Sequence, residues 1–364
     1  MSRGLVAAIT AIALLAACSS SNGDDRGAQP QREESAPAST ATPSPEAEET
    51  AGVTTVSLAD QLEAELTIGD EPDWMTPGYG SIWVQRAHAG AVDRIDPVTN
   101  EVVASIKVGA NPCNGMAAGF DSVWVPSCTK QALYRISAET EKVEAVVKVP
   151  VYKSFTGAAP YALGGIDVGA GAVWMVTESK GGAFDTLARI DPRSNNVTDE
   201  IPLGHSGGGV AVGGGAVWVS APEDGVLLQV DPRSRKVVAE VDGLAQPTIV
   251  DAGLGAVWVQ SGTWSDHPEG DGSITRVDPD KMKIVARVQL DEMPGQPGDI
   301  AVGGGHVWAR SQFTLLAKID PATNTVVERY EDRKGLGGVE VGFGSVWLSD
   351  FSVNRVWRLP VGDG

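Results

Sequence analysis

Apolar and polar positions fall into a pattern that repeats along most of the chain. In residues 212 to 243, "VGGGAVWVSAPEDGVLLQVDPRSRKVVAEVDG", a glycine turn leads into a run that is apolar at every position. A third run closes on Asp-Pro, and a fourth alternates apolar with polar. The phrase recurs at Gly78, Gly119, Gly169, Gly213, Gly253, Gly303 and Gly342, with successive starts 41, 50, 44, 40, 50 and 39 residues apart. Short β-branched runs and glycine turns at a period near forty, without 3.6-residue periodicity, predict four-stranded propeller blades. In each unit an apolar stretch such as Gly208–Val212 forms the first strand, and the turn glycines supply positive φ. The unbroken apolar second strand is expected where both sheet faces are covered. Asp-Pro opens the turn to the fourth strand, with the aspartate accepting a backbone hydrogen bond. The expected fold is all-β, a seven-bladed propeller of four-stranded blades.

The seventh unit supplies only three strands, Gly337–Val341, Ser345–Asp350 and Asn354–Leu359. Its missing strand lies at the other end of the repeat region, where Glu63–Gly69, "EAELTIG", reads as a fourth strand. Pairing it beside Asn354–Leu359 closes the ring and removes sheet edges. The base that precedes "I/V-D-P" in most units reads as a blade-to-blade or solvated ion pair, and the seven repeated tryptophans read as core.

The first residues are of another kind. Arg3 is followed by an apolar run from Leu5 to Ala17, too short to span a bilayer and of signal-peptide length. Leu15-Ala16-Ala17-Cys18 resembles the bacterial lipobox, which implies cleavage before Cys18 and a diacylglyceryl group on its sulfur. Residues 18–55 carry no aromatic residue and little that is large and apolar. They read as a lipidated cysteine with a disordered tether, of root-mean-square reach about 30 to 40 Å. The organisation is therefore a signal peptide (1–17), a tether (18–55) and a propeller (56–364), held at the cell membrane on its extracytoplasmic side.

A formal charge of −19, of which −15 falls in the propeller region, excludes nucleic acid as a partner and direct docking on anionic lipid. The membrane is met through the lipid anchor only, and the chain is expected to be a monomer. With Cys18 lipidated, Cys113 and Cys128 remain as an even pair. Their midpoint coincides with that of the turn Gly119–Ser122, so they should face each other across two antiparallel strands and form a disulfide.

"RIDPVTNEVVASIKVGANP" (94–112) resembles the YVTN-type extracytoplasmic propeller repeat. The "VWV" units resemble the virginiamycin B lyase superfamily. The likeness covers roughly residues 62 to 364. For a lyase it implies a histidine base with a carboxylate-bound magnesium that opens an ester-linked ring by elimination. In that family the histidine lies close to a glutamate in sequence. His205, in "HSGGGV", has no acidic neighbour, so no catalytic residue carries over from the resemblance.

Strands of a blade alternate in direction, so first-to-second and third-to-fourth turns share one face. That face is uniform and tight. The long insertions, Pro150–Leu163, Glu178–Thr186, Ser261–Ser273 and Asp291–Pro297, all fall on the other. Function tends to sit on irregular loops of a rigid scaffold, which makes the variable face the candidate binding surface. Its contact-making residues are Tyr152, Lys153, Phe155, Tyr161, Phe184, Trp264 and Phe313, with His205 placed near the channel mouth and His267 in "SDHPEGD". Asp266, Glu269 and Asp271 of that cluster are weak candidates for a divalent cation, their spacing being unlike an EF-hand loop. They read first as a solvated turn, and no cofactor is expected. Phosphate-cradling loops, CxxC, HExxH and a serine nucleophile elbow are all absent. Three functions remain open: a binding or scaffold module for an extracytoplasmic protein or small ligand, a lyase-like enzyme, and a structural envelope component.

Overall fold

The computed structural model describes residues 52–362, other than 110–111, 150–163, 180–182, 264–269, 291–294 and 331–334. They form a seven-bladed propeller. Blade 1 comprises Pro72–Gly78, Ser81–Arg86, Ala91–Asp96 and Glu101–Lys107, in that order from axis to rim. Blades 2 to 6 repeat it, with innermost strands Ala117–Gly119, Ile166–Gly169, Val210–Gly213, Pro247–Gly253 and Pro297–Gly303. Blade 7 is Val339–Gly342, Ser345–Asp350 and Arg355–Pro360, completed on the outside by Ala64–Thr67. Leu66 faces Val356 in this antiparallel pairing, so the ring closes through the N-terminal strand as the pattern predicts.

One element the pattern does not single out precedes it. Thr54–Val56 adds a fifth strand to blade 6, parallel to Thr325–Tyr330. A short helix, Leu58–Gln61, then carries the chain across to blade 7 with Leu58 buried. The last two residues read as tether, Thr54 and Thr55, thus belong to a sheet. Three polar-rich residues have too little apolar periodicity to signal a strand.

The core is divided into seven clusters, one between each pair of neighbouring blades. Second strands are buried along nearly their whole length, whereas the rim strands alternate, as in Lys283–Gln289. Trp83, Trp124, Trp174, Trp218, Trp258, Trp308 and Trp347 are all fully buried. The constant five-residue spacing from glycine to tryptophan has a physical cause. The indole nitrogen donates to the carbonyl of the turn glycine, at 3.0 Å in Trp83→Gly78 and Trp218→Gly213. Among the described residues, Trp258 alone of the seven has no acceptor for its indole nitrogen.

The repeated glycine itself is needed for a reason other than turn geometry. A Cβ on Gly78 would lie 2.6 Å from Ala118 Cβ of the next blade, and the equivalent distances at Gly119, Gly169, Gly213, Gly253, Gly303 and Gly342 are 2.6 to 2.7 Å. Only glycine lets adjacent innermost strands approach this closely. Positive φ falls on the two residues that follow, for example Tyr79 (53°) with Gly80 (72°) and Phe343 (56°) with Gly344 (76°). This matches a two-residue type I′ hairpin.

The third-strand base opposite the tryptophan bridges blades at Arg94, Arg135, Arg276 and Arg358, whereas Arg189 and Lys318 pair within their own blades, with Asp199 and Glu328. Arg135 lies 5.3 Å from the Trp124 ring centroid, a cation–π distance. Its guanidinium donates to Pro192 O at 2.7 Å and Asn195 Oδ1 at 3.1 Å, in the Asp-Pro turn of the following blade. Arg276 and Arg358 repeat this on Asn324 and Asn100, and Arg94 pairs instead with Glu141 at 2.5 Å. Each of the three asparagines has φ near +57°, a conformation its side chain tolerates. The turn aspartates accept backbone N–H groups two residues on, as in Val98 N to Asp96 Oδ1 at 2.7 Å. Blade 4 departs from the rule: Gln229 faces Trp218, and the cation is missing.

Cys113 and Cys128 form the expected disulfide, with Cα atoms 5.9 Å apart and both residues buried. The register Gly119↔Ser122 and Ala117↔Trp124 shifts before it reaches them, with Pro112 bridging Ser127 and Cys113 N donating to Pro126 O at 3.0 Å, so the two cysteines are joined without being directly opposite. Denatured protein without reductant should therefore show no free thiol at Cys113 or Cys128 by maleimide labelling and mass spectrometry. Reducing the bridge, which closes a loop of 15 residues, should cost about 3 kcal/mol in urea unfolding. Deleting residues 54–67 strips the outer strands from blades 6 and 7 and should leave no soluble protein with a cooperative unfolding transition. A truncated chain that melts like the full one would contradict closure by this segment.

Candidate functional site: the axial channel

The seven innermost strands start at the variable face, run to the tight face, and line the axis. Between them they enclose a cavity of about 210 Å³. Its wall carries Asp167, Asp251, Asp299 and Glu340, together with the apolar Met75, Met116, Ile166 and Ile249. Trp74 lies across it. It projects from blade 1 yet packs on the core between blades 5 and 6 as well as that between blades 1 and 2. A Cβ on Gly164, in the loop leading to blade 3, would lie 3.8 Å from its ring.

The carboxylates tie blades together. Asp167 Oδ2 accepts from Val212 N of blade 4 at 2.7 Å, while its Oδ1 accepts from Val168 N at 2.7 Å. Asp251 does the same to Val302 N of blade 6 (2.7 Å) and Ala252 N (2.7 Å). Asp299 does so to Val339 N of blade 7 and Ile300 N, both at 2.9 Å. An innermost strand has no neighbour on its axial edge, so such N–H groups need an acceptor from elsewhere. Removal from water pushes Asp167 and Asp299 up to about 7 and raises Asp251, despite the hydrogen bonds. Glu340 is raised well above the ordinary range, first by desolvation and then by Asp299, Asp251 and Asp167. Asp73, at the start of blade 1, is pushed up to about 6 by burial, against the pull of Arg310.

Arg310 is the buried cation behind this wall, fully inaccessible on the second strand of blade 6. Its Nε donates to Leu315 O at 2.8 Å, one terminal nitrogen donates to Gly338 O at 3.0 Å and to Ser349 O, and the other donates to Gly335 O. Desolvation lowers it to about 10, while Asp350, Asp299 and Asp73 favour its charged form. The same position in other blades also reaches across. Gln85 donates to Gly115 O (2.8 Å), Ser220 to Thr248 O (2.6 Å), Gln260 to Arg310 O (2.5 Å) and Ser349 to Asp73 O (2.5 Å).

Most sequence-derived candidates lie elsewhere. Tyr152, Lys153, Phe155, Tyr161, Trp264, Asp266, His267 and Glu269 lie outside the described residues. Phe184 is a correction. Expected on an exposed loop, it is 7% accessible and sits in the core between blades 3 and 4 with Val176, Leu203 and Ala221, because the loop folds its ring over the end of that core. Phe313 remains at the surface, 36% exposed. His205 is a second correction: its partners place it toward the rim of blade 4, away from the channel mouth. Its Nδ1 lies 2.8 Å from Asp224 Oδ2 and its Nε2 3.6 Å from Glu240 Oε2. The acidic partners come from a loop and a rim strand 19 and 35 residues further on, which a search for nearby acids in sequence cannot find. Asp271 accepts from Ser273 N at 3.0 Å and lies 3.7 Å from Arg287, the solvated-turn role. Among the described residues no three His, Cys, Asp or Glu side chains group in a way that could hold a metal ion.

The channel carboxylates were missed because each was read as part of an apolar strand. A signal was present: the residue two before the turn glycine is Asp167, Asp251 and Glu340 in blades 3, 5 and 7, where blades 2, 4 and 6 have Ala117, Ala211 and Ala301.

This architecture defines the chain as a seven-bladed β-propeller with an acid-lined axial cavity. No family model matches the sequence, and no curated protein matches it either. Solved structures do match. Virginiamycin B lyase from Staphylococcus aureus aligns with a TM-score of 0.64 at 18% identity, over 82% of this chain and 98% of that one. Hydrazine synthase of Kuenenia stuttgartiensis aligns with a TM-score of 0.64 at 13% identity, over 82% and 97%. A streptogramin B lyase gives 0.63 at 17%, over 82% and 95%. At these identities the likeness is one of fold, and it bears out the resemblance of the "VWV" units on that level.

Replacing Arg310 by Met should destabilise the protein by about 3 to 5 kcal/mol, since it takes a donor from four carbonyls and leaves Asp73, Asp299 and Asp350 without their cation. Urea denaturation followed by circular dichroism checks this. A loss below about 1 kcal/mol would show that the guanidinium is solvated rather than holding the wall together.

Proposed function

We propose that the chain is a lipid-anchored extracytoplasmic binding module that takes its ligand or partner on the variable face, at the mouth of the axial cavity. The observation that carries this reading is the unequal use of the two faces. On the tight face the turn glycines, stacked bases and Asp-Pro turns are committed to neighbouring blades. The long insertions of the sequence fall on the other face, and the axial cavity combines Trp74 with carboxylates. Concave sites with an apolar wall and a few convergent polar groups are where propeller-sized scaffolds bind small molecules. The lipobox resemblance at Cys18 and the acidic tether support presentation of this face away from the membrane surface.

A lyase reading draws on the fold shared with two streptogramin-type lyases. It needs a base at the cavity, and His205 is held by Asp224 and Glu240 near the rim. Binding without turnover is therefore the reading we favour.

The test uses the mature chain and its Cys18→Ser variant. The wild-type protein should fractionate with membranes and the variant should not. The soluble variant should show a melting temperature raised by about 5 °C or more with at least one member of a panel of amines, peptides, glycans and macrolactones at saturating concentration. Trp74→Ala should abolish that rise. Ring opening of a macrolactone would replace the binding reading with the lyase one. A soluble wild-type protein, or a panel without any shift, would count against the proposal.

A further inference from the structure

We propose that the carboxylates of the innermost strands form a pH-dependent clamp on the axial channel, one that holds neighbouring blades together most firmly in mild acid and loosens as the ring ionises. The geometry is a set of straps around one cavity. Asp167 joins blade 3 to blade 4, Asp251 joins blade 5 to blade 6, and Asp299 joins blade 6 to blade 7, each by accepting an axial backbone N–H of the following strand. Glu340 adds its charge to the same cavity. The groups that face them are few. Asp167 feels Asp251, Asp299 feels Asp73 and Asp251, and Glu340 feels all three strap residues. Asp73 faces Glu71 and Arg310, and Arg310 is shared with Asp350. Of these five carboxyl groups only Asp73 and Asp299 feel the Arg310 guanidinium, which is already shared with Asp350.

Two effects compete when this ring ionises. Each N–H bond to a carboxylate strengthens, and the charges lose hydration and repel one another. Desolvation is the largest influence on Asp73, Asp167, Asp251, Asp299 and Glu340, and the net direction is upward in every case. An unfolded aspartate titrates near pH 4. Between there and about pH 7 the folded chain binds more protons than the unfolded one. The sign follows: this contribution to stability is fully present below about pH 4 and is lost as pH rises through about 7. The turn carboxylates work in the opposite sense, because Asp191, Asp231 and Asp320 are held below their ordinary range first by backbone N–H groups, and Asp278 first by the Lys281 ammonium. Their stabilisation is lost on strong acidification, so the two sets together place the optimum near pH 5.

The clamp does not depend on the identity of any ligand. It is tested on the mature, disulfide-intact chain by calorimetry and by hydrogen exchange with mass spectrometry, at pH 5 and pH 8 and corrected for intrinsic exchange rates. Melting temperature should fall by at least about 5 °C between the two. The fall should persist in 0.5 M NaCl, which screens surface repulsion but not buried charge. Protection should drop at Val212, Val302 and Val339 at least tenfold more than in the rim strand Lys236–Val241. Glu340→Gln removes one charge and breaks no strap, so it should shrink the fall in melting temperature. A melting temperature that is flat or rises from pH 5 to pH 8, a fall erased by salt, or protection lost equally at the rim would each overturn the clamp. The wild-type exchange pattern decides the matter even if the variant fails to fold.

Discussion

Everything else in this propeller depends on how closely neighbouring blades approach at the turn glycines. Seven sheets can meet around one axis only if their inner corners carry no side chain. A methyl group at any of the seven positions would sit within 2.7 Å of the next blade, well inside van der Waals contact. Once the corner is bare, the glycine carbonyl is free to receive the indole N–H beneath it. The tryptophan is then fixed at a constant depth, and the base of the third strand lies over its ring. Corner, indole and base recur around most of the ring, and at Arg135, Arg276 and Arg358 the base carries the contact on to the following blade's Asp-Pro turn.

The same close approach creates the polar problem at the axis. Innermost strands offer their axial edges to a narrow channel, and the backbone donors there must find acceptors. In part of the ring, aspartates from the preceding blade supply them. Backbone carbonyls of the following blade are satisfied in turn by side-chain donors, from Gln85, Ser220, Gln260 and Ser349. The wall is therefore both structural and charged. A site built this way is rigid, since Asp167, Asp251 and Asp299 each face the cavity and also hold two blades in register.

Blade 4 shows how much redundancy the ring has. Gln229 replaces the stacked cation, yet Trp218 is as deeply buried as its counterparts and keeps its bond to Gly213. Likewise Trp258 lacks an indole acceptor without leaving the core. Single departures are tolerated because seven separate inter-blade cores share the burial. This tolerance is also what permits loops of unequal length on one face.

The sequence by itself determined the number of blades, the four strands in each, the closing strand Glu63–Gly69 and the pairing of Cys113 with Cys128. These follow from local periodicity and register, which depend on residues near one another in the chain. It did not reveal that Asp167, Asp251, Asp299 and Glu340 share one cavity, that Trp74 crosses the axis, or that His205 meets Asp224 and Glu240. Nor did it show that Phe184 is core. Those facts concern side chains brought together from different blades, or from opposite edges of one blade. Only the curvature of the closed ring decides which of them face the same space.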